Sequence, residues 1–251
     1  MGKVPNQAKK SQAGFTLVEL AIVMIIIGLL IGGVLKGQEL INNARITSTA
    51  AQVSGFQTAM TSFRDMYAGY PGDILRPGQR IAGCTGACDV DGNANNRIDD
   101  AAITIGGAIA TVDNELARSW LQLSQADLIS GVQANVAAAA ATVVGVTIPR
   151  ANIGGGWHIG YHNGVGNLGD GSPRAGHYLR LDNSVEAAPT AATTSLTPNQ
   201  AFRIDERLDD GVADEGTVIA YGGDGAALCH TGGLYNESLT GVLCGLYIRV
   251  D

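Results

Sequence analysis

The stretch Gly14–Ile46, GFTLVELAIVMIIIGLLIGGVLKGQELINNARI, decides how the rest of the chain is organised. From Phe15 to Leu35 it is apolar except for Thr16, Glu19 and three glycines. Wound as a helix at a rise of about 1.5 Å per residue, those 21 positions span roughly 31 Å, matching a hydrocarbon core of about 30 Å. Lys3, Lys9 and Lys10 precede the run with no acidic residue among them, whereas Lys36 behind it is balanced by Glu39. The positive-inside rule then holds the N-terminus in the cytoplasm and exports the remainder, giving a single-pass chain that is N-in and C-out.

The order of the parts narrows the reading. An ordinary secretory signal places its small-residue cleavage site after the apolar run, but here a basic, polar leader ends in Ala13-Gly14 immediately before it. The run Lys9-Lys-Ser-Gln-Ala-Gly14 followed by Phe15-Thr-Leu-Val-Glu-Leu20 resembles the type III signal of type IV prepilins and type II secretion pseudopilins. The resemblance implies that residues 1–14 are a leader, that a prepilin peptidase cuts after Gly14, and that the exposed Phe15 is N-methylated. It also implies an α+β fold, with a long N-terminal helix packed on an antiparallel β-sheet headgroup with long loops. The implied life history is an inner-membrane precursor that assembly machinery draws into an extracellular filament of identical subunits.

Glu19 is the one carboxylate in the apolar run. A charge this close to a membrane core is costly unless paired, so it is a functional suspect by default. The resemblance to pilins supplies a partner, the free amine of Phe15 on a neighbouring subunit, and with it a role for Glu19 in setting assembly register. The bland alternative is a signal anchor whose single acid snorkels to the interface.

Removing the leader leaves 237 residues, within the range of one domain. Taking the three leader lysines from the 16 basic residues leaves 13 against 23 acidic ones, a net charge of −10. An exterior this acidic argues against a nucleic-acid site, which needs lysine and arginine to release counterions. With 35 glycines and only 5% aromatic residues, loops and small-residue packing are expected over a dense aromatic core.

The apolar helix is expected to continue past Leu35. Val53, Phe56, Met60, Phe63 and Tyr67 recur at spacings of three and four, the stripe of an amphipathic helix, with Leu40 and Ala44 upstream. One helix over residues 15–68 follows, its first part (15–35) transmembrane, with Gly69-Tyr-Pro71-Gly72 ending it and residues 69–251 forming the exported headgroup. Gly28, Gly32, Gly33 and Gly37 each weaken a helix by roughly 1 kcal/mol relative to alanine in water; alternatively they are close-packing positions between helices in a membrane.

Residues 72–83 read as loop and lead to Cys84-Thr-Gly-Ala-Cys88 and then Asp89-Val-Asp91-Gly-Asn93-Ala-Asn95-Asn-Arg97-Ile-Asp99-Asp100. Counting Asp89 as position 1 puts oxygen side chains at positions 1, 3 and 5 (Asp89, Asp91, Asn93), the Asn95 carbonyl at 7 and the Asp100 carboxylate at 12. That is the spacing of an EF-hand-type calcium loop. Ala94 stands where that pattern has glycine, Arg97 where it has a ligand, and Asp100 where it has glutamate. Weakly bound calcium is one expectation, with a melting temperature raised by calcium but not magnesium; a solvated Asp/Asn/Gly turn is the other.

Residues 113–131 read as a second helix, with Leu116, Trp120 and Leu123 on one face and Gly131 as its stop. Periodicity does not choose between strand and loop for the alanine-valine stretch 132–148. Residues 154–161 and 177–181 read as two strands flanking a glycine-rich loop, the second alternating as if half-buried. Gly164-Val-Gly166-Asn-Leu-Gly169 matches a dinucleotide fingerprint in letters, but Asp-Gly-Ser-Pro follows it where a helix is required. His158 and His162 fit ordinary sheet or surface positions better than a zinc site. Residues 186–195 form a low-complexity loop and a candidate for glycosylation.

Thr197, Pro198 and Gln200 then form the capped start of a helix whose apolar face is Ala201, Ile204 and Leu208. The segment LTPNQAFRIDERLDDG, the paired cysteines and the Asp-Gly-Asn-rich loop together resemble a subset of proteobacterial pilins. Asp209, Asp210 and Asp214 suit a solvated turn better than a second cation site. Residues 216–221 and 242–250 are β-branched and aromatic, as closing strands are. Four cysteines in an exported segment form two disulfides more often than a metal site. Of the three pairings, the local one, Cys84–Cys88 with Cys229–Cys244, is expected, and the second resembles the disulfide-bounded C-terminal loop of many pilins. Asn236-Glu-Ser238 is an N-glycosylation triplet by letters.

The expected function is therefore structural: a pilin-like subunit serving adhesion or motility, without enzymatic activity, since neither a Gly-x-Ser-x-Gly elbow nor an acidic pair stands out. The nearest alternative is a type II secretion pseudopilin. From a different class, the rival is a membrane-anchored extracellular binding module whose headgroup recognises carbohydrate or a surface.

Overall fold

A computed structural model describes residues 16–100, 105–107, 111–183, 190 and 192–251. The cleavage pair Gly14 and Phe15 and half of the low-complexity loop (186–189 and 191) lie outside these residues. The chain divides into two compact units, residues 1–43 and 44–251.

Helix α1, Leu17–Tyr67, is 51 residues long and belongs to both units. In the second unit its stripe is buried: Ile46, Val53, Phe56, Met60 and Phe63 all lie inside the core. Phe56 meets Trp120 edge-on at 4.9 Å and Trp157 at 6.0 Å between ring centroids, and burial of each large apolar side chain contributes about 1.5–3 kcal/mol. Gln52 adds a polar tie, accepting from the Asn152 amide at 3.0 Å and donating to the Arg150 carbonyl at 3.1 Å. The helix stops one residue earlier than the glycine signal implies, because Ala68 takes the left-handed conformation (φ 49°) after donating its amide to the Arg64 carbonyl.

Residues 72–83 are not all loop. Pro77–Arg80 make a one-turn helix, α2, and Gly86–Asp89 a 3₁₀ turn. Helix α3, Glu115–Gln125, is shorter than expected, with the Asn114 side chain accepting from the Ala117 amide as N-cap. Its chain turns away at Ala126 and Asp127 (φ 57°), before Gly131 is reached. Helix α4, Pro198–Leu208, carries the anticipated capping box between Thr197 and Gln200. The 132–148 stretch contributes isolated bridges, Thr111 to Ala141 and Val144 to Ile148, and no named strand.

The main sheet comprises β1 (Gly156–His162), β2 (Gly176–Asp182), β3 (Val218–Tyr221) and β6 (Gly245–Arg249), in the order β1-β2-β6-β3, antiparallel throughout. Two short strands, β4 (His230–Thr231) and β5 (Leu234–Tyr235), form a hairpin inside the segment closed by the Cys229–Cys244 disulfide. Both expected disulfides are present. The outer strands are paired beyond the ladder. On β1, the Trp157 and Tyr161 amides donate to the carbonyls of Pro149 and Ile98; on β3, Ala220 donates to Ala213 and accepts from Asp170.

One face of this sheet, with Trp157, Ile159, Leu179, Leu181, Val218, Ala220, Leu246 and Ile248, joins the core beneath α1 and α3. The other was expected to be half exposed, yet all seven residues of β2 are buried. Ile105 and Leu168 cover it together with Tyr178, Ile219, Tyr221 and Tyr247. Its charges survive burial by pairing: Asp182 lies 3.0 Å from His158 Nε2 and 2.9 Å from Arg180 Nε. Arg180 also donates to the Ile105 and Gly107 carbonyls. Alternation predicted two faces correctly but could not tell a polar buried face from a wet one.

Candidate assembly site

Glu19 is tied into the start of its own helix. The Thr16 amide and hydroxyl both donate to Glu19 Oε2 at 2.9 Å, and the Glu19 amide donates to Thr16 Oγ1 at 3.2 Å. This is a capping box, with Thr16 as N-cap and Glu19 at the third helical position, and it satisfies donors that no carbonyl can reach at a helix start. The Thr-x-x-Glu spacing was the available signal, overshadowed by the charge of Glu19. A carboxylate in the first turn also faces the positive end of the helix dipole.

Beyond the box, the first unit presents its apolar side chains outward. Leu17, Met24 and Leu29 are each more than 70% exposed, and Leu40 and Ile41 are exposed as well. The helix is long and apolar enough to cross a membrane, and an exposed apolar surface of this length needs lipid or other helices around it. A Cβ at Gly28, Gly32, Gly33 or Gly37 meets nothing within 4 Å, so packing among the described residues does not require these glycines. Lys36 and Glu39 pair at 2.7 Å with both side chains exposed, which stabilises by a few tenths of a kcal/mol at most.

The 89–100 loop is organised from outside itself. Asp73 Oδ1 and Oδ2 accept the amides of Asn95 and Asn96 at 3.0 and 2.8 Å. Glu115 Oε1 and Oε2 accept those of Asn93 and Asp99 at 2.8 and 3.2 Å. Both carboxylates are buried. Burial pushes Glu115 up to about 7, against the downward pull of the Asn93 amide, and raises Asp73 as well.

Meanwhile the loop's own side chains turn elsewhere. Asp89 and Asp91 accept from the Gly78 and Arg76 amides at 2.6 Å each. Asn93 and Asn95 accept from amides two residues on, and the Asn95 side-chain amide donates to Asp99. The buried Arg118 donates to the Asp91 carbonyl at 2.7 Å. Side-chain oxygens of Asp89, Asp91, Asn93 and Asn95 thus each accept a backbone amide within the chain.

Elsewhere, Asp205, Asp209 and Asp210 bring carboxylate oxygens within 4.8 Å of one another, in place of the set with Asp214. Asp205 is buried, and it accepts from the Tyr235 hydroxyl at 2.8 Å and the Gly211 amide at 3.3 Å. His158 sits in the sheet with its proton affinity lowered by burial. The Asn236 side-chain amide, the acceptor atom of the glycosylation triplet, donates to the carbonyls of Gly225 and Leu228.

Residues 9–35 match the family model of the prokaryotic N-terminal methylation motif. No curated protein and no solved structure matches the chain. The match spans the basic leader end, the Gly14-Phe15 junction, the Thr16–Glu19 box and the apolar run. It supports a type IV pilin or pseudopilin-type protein whose precursor is anchored in a membrane, and the long helix with an antiparallel sheet in an α+β architecture is consistent with a pilin-like fold.

Proposed function

We propose that the chain is the structural subunit of a type IV pilus-like filament. Prepilin peptidase cleaves after Gly14, Phe15 is methylated, and inner-membrane assembly machinery transfers α1 from lipid into the core of a homopolymer outside the cell. The observation that carries this reading is the exposed apolar first half of α1, which coincides with the methylation motif. Transfer from lipid to a helical core keeps that surface out of water at every stage, and Glu19 fixes register by pairing with the Phe15 amine of a neighbour.

The test is intact mass and N-terminal sequencing of protein sheared from the cell surface. A chain beginning at N-methylated Phe15 supports the proposal. An intact leader on protein that stays with the cells overturns it and favours an anchored binding module. Electron microscopy of the sheared fraction separates a pilin, which yields filaments, from a pseudopilin acting in secretion, which does not.

A further inference from the structure

The disagreement between the sequence pattern and the geometry of residues 89–100 carries an inference beyond the filament role. A calcium loop turns six to eight oxygens inward onto a hard cation. Here the loop turns N–H groups inward, and the amides of Asn93, Asn95, Asn96 and Asp99 converge on the two buried carboxylates of Asp73 and Glu115. A fifth amide, that of Ala94, donates to the Asp73 carbonyl at 3.0 Å. Gly92 sits at the point of closest approach, where a Cβ would come within 2.3 Å of the Asp73 backbone, so the glycine in this motif serves a protein–protein contact within the chain. The positive charge is also internal. Arg118 is buried, bonds the Asp91 carbonyl, and interacts electrostatically with Glu115, Asp100, Asp113 and Asp91.

We infer that residues 89–99 form a self-sufficient loop that has no need of a divalent metal, with Asp73 and Glu115 holding its amides and the Arg118 guanidinium supplying the charge a bound cation would bring. Chain separation explains why the motif misleads. The Asp-x-Asp-x-Asn letters are local, while the groups that organise the loop lie before it and in α3.

The test uses the full-length chain in detergent, melted with a chelator and again with roughly 5 mM calcium chloride, above the weak extracellular affinity range. The two melting temperatures are expected to agree within about 1 °C. Glu115→Ala leaves two amides without acceptors and Asp73→Ala leaves that of Asn96, since Asn95 keeps its bond to Asn93 Oδ1; each is expected to lower the melting temperature by roughly 4–8 °C, with or without calcium. Asp89→Asn and Asp91→Asn keep an acceptor oxygen toward Gly78 and Arg76 and are expected to shift it by no more than about 2 °C. A calcium-dependent rise in the unaltered chain that Asp89→Asn abolishes overturns the inference. This comparison stands even if an alanine variant fails to fold.

Discussion

His177 Nδ1 lies 2.6 Å from Asp251 Oδ2, a contact between residues 74 positions apart. The other ring nitrogen accepts the buried Ile98 amide at 3.1 Å, which leaves Nδ1 to donate to Asp251. Tyr70 packs on the same ring at 4.0 Å between centroids and Tyr161 meets it at 5.3 Å. One side chain of β2 therefore ties the segment that follows α1, the 89–100 loop and the segment after β6. His177→Phe keeps the aromatic packing and the backbone amide's bond to Asp251 Oδ1, but strands the Ile98 amide and removes the ring donor from Asp251 Oδ2. It is expected to cost about 2–3 kcal/mol in denaturant unfolding at neutral pH.

Asp251 gives the same contact a pH signature. Burial pushes its proton affinity up, but the hydrogen bonds from His177 outweigh this and hold the carboxyl below the usual range. A carboxyl depressed in the folded state stabilises above its unfolded value, about 3.9, and that contribution is lost as the pH falls. The acid limb of stability in the unaltered protein should therefore be shallower in His177→Phe, as measured by melting temperature between about pH 3 and pH 5.

Asp205 titrates with the opposite sign. Burial pushes it up to about 7 despite the Tyr235 and Gly211 hydrogen bonds. Between the ordinary carboxyl value and that figure the folded chain retains a proton the unfolded chain has lost, so stability falls as pH rises through the window. Asp205→Asn resembles the protonated form. It is expected to match the unaltered protein below about pH 3.5 and to exceed it increasingly as the pH rises through the window, by roughly 1–3 kcal/mol at about pH 8.

Glu19 combines a capping role with a charge, and one substitution separates them. Glutamine serves at the third position of a capping box, so Glu19→Gln should preserve the Thr16 contacts and the helix content of the detergent-solubilised chain. If the charge sets register in the filament, Glu19→Gln and Glu19→Ala are both expected to fail to assemble. Filaments of normal yield from Glu19→Gln would assign the residue to capping alone.

Phe56 tests the second unit of the fold. It meets both buried tryptophans from α1, so Phe56→Ala opens a cavity at the junction of α1, α3 and β1. The expected loss is about 3–5 kcal/mol, measured by denaturant unfolding of the full chain in detergent.

What was legible in the sequence was local or periodic. Val53, Phe56, Met60 and Phe63 announced the buried stripe of α1, Thr197 and Gln200 announced the start of α4, and the short spacings of the cysteines matched their pairing. The Thr16–Glu19 box was equally local, but the cost of a charge near lipid drew the reading of Glu19 toward a partner in another chain. Asp73, Glu115 and His177 gave no such signal. Each acts on amides 16 to 79 positions away, and a lone acid or histidine in a loop, helix or strand does not disclose which distant backbone it will meet. The burial of Arg180 and Asp182 was hidden for the same reason, since the segment that covers them approaches from residues 105–107.

The main sheet has a consequence for how copies of this chain can associate. Its faces are covered, and hydrogen bonds to the carbonyls of Pro149, Ile98 and Ala213 and from the Asp170 amide already occupy positions along both outer strands. A strand from another molecule finds little unpaired backbone at those positions, so lateral growth by strand addition, the route to amyloid-like aggregates, is obstructed. If the chain polymerises through its helix as proposed, this arrangement keeps the β-structure out of the assembly contacts.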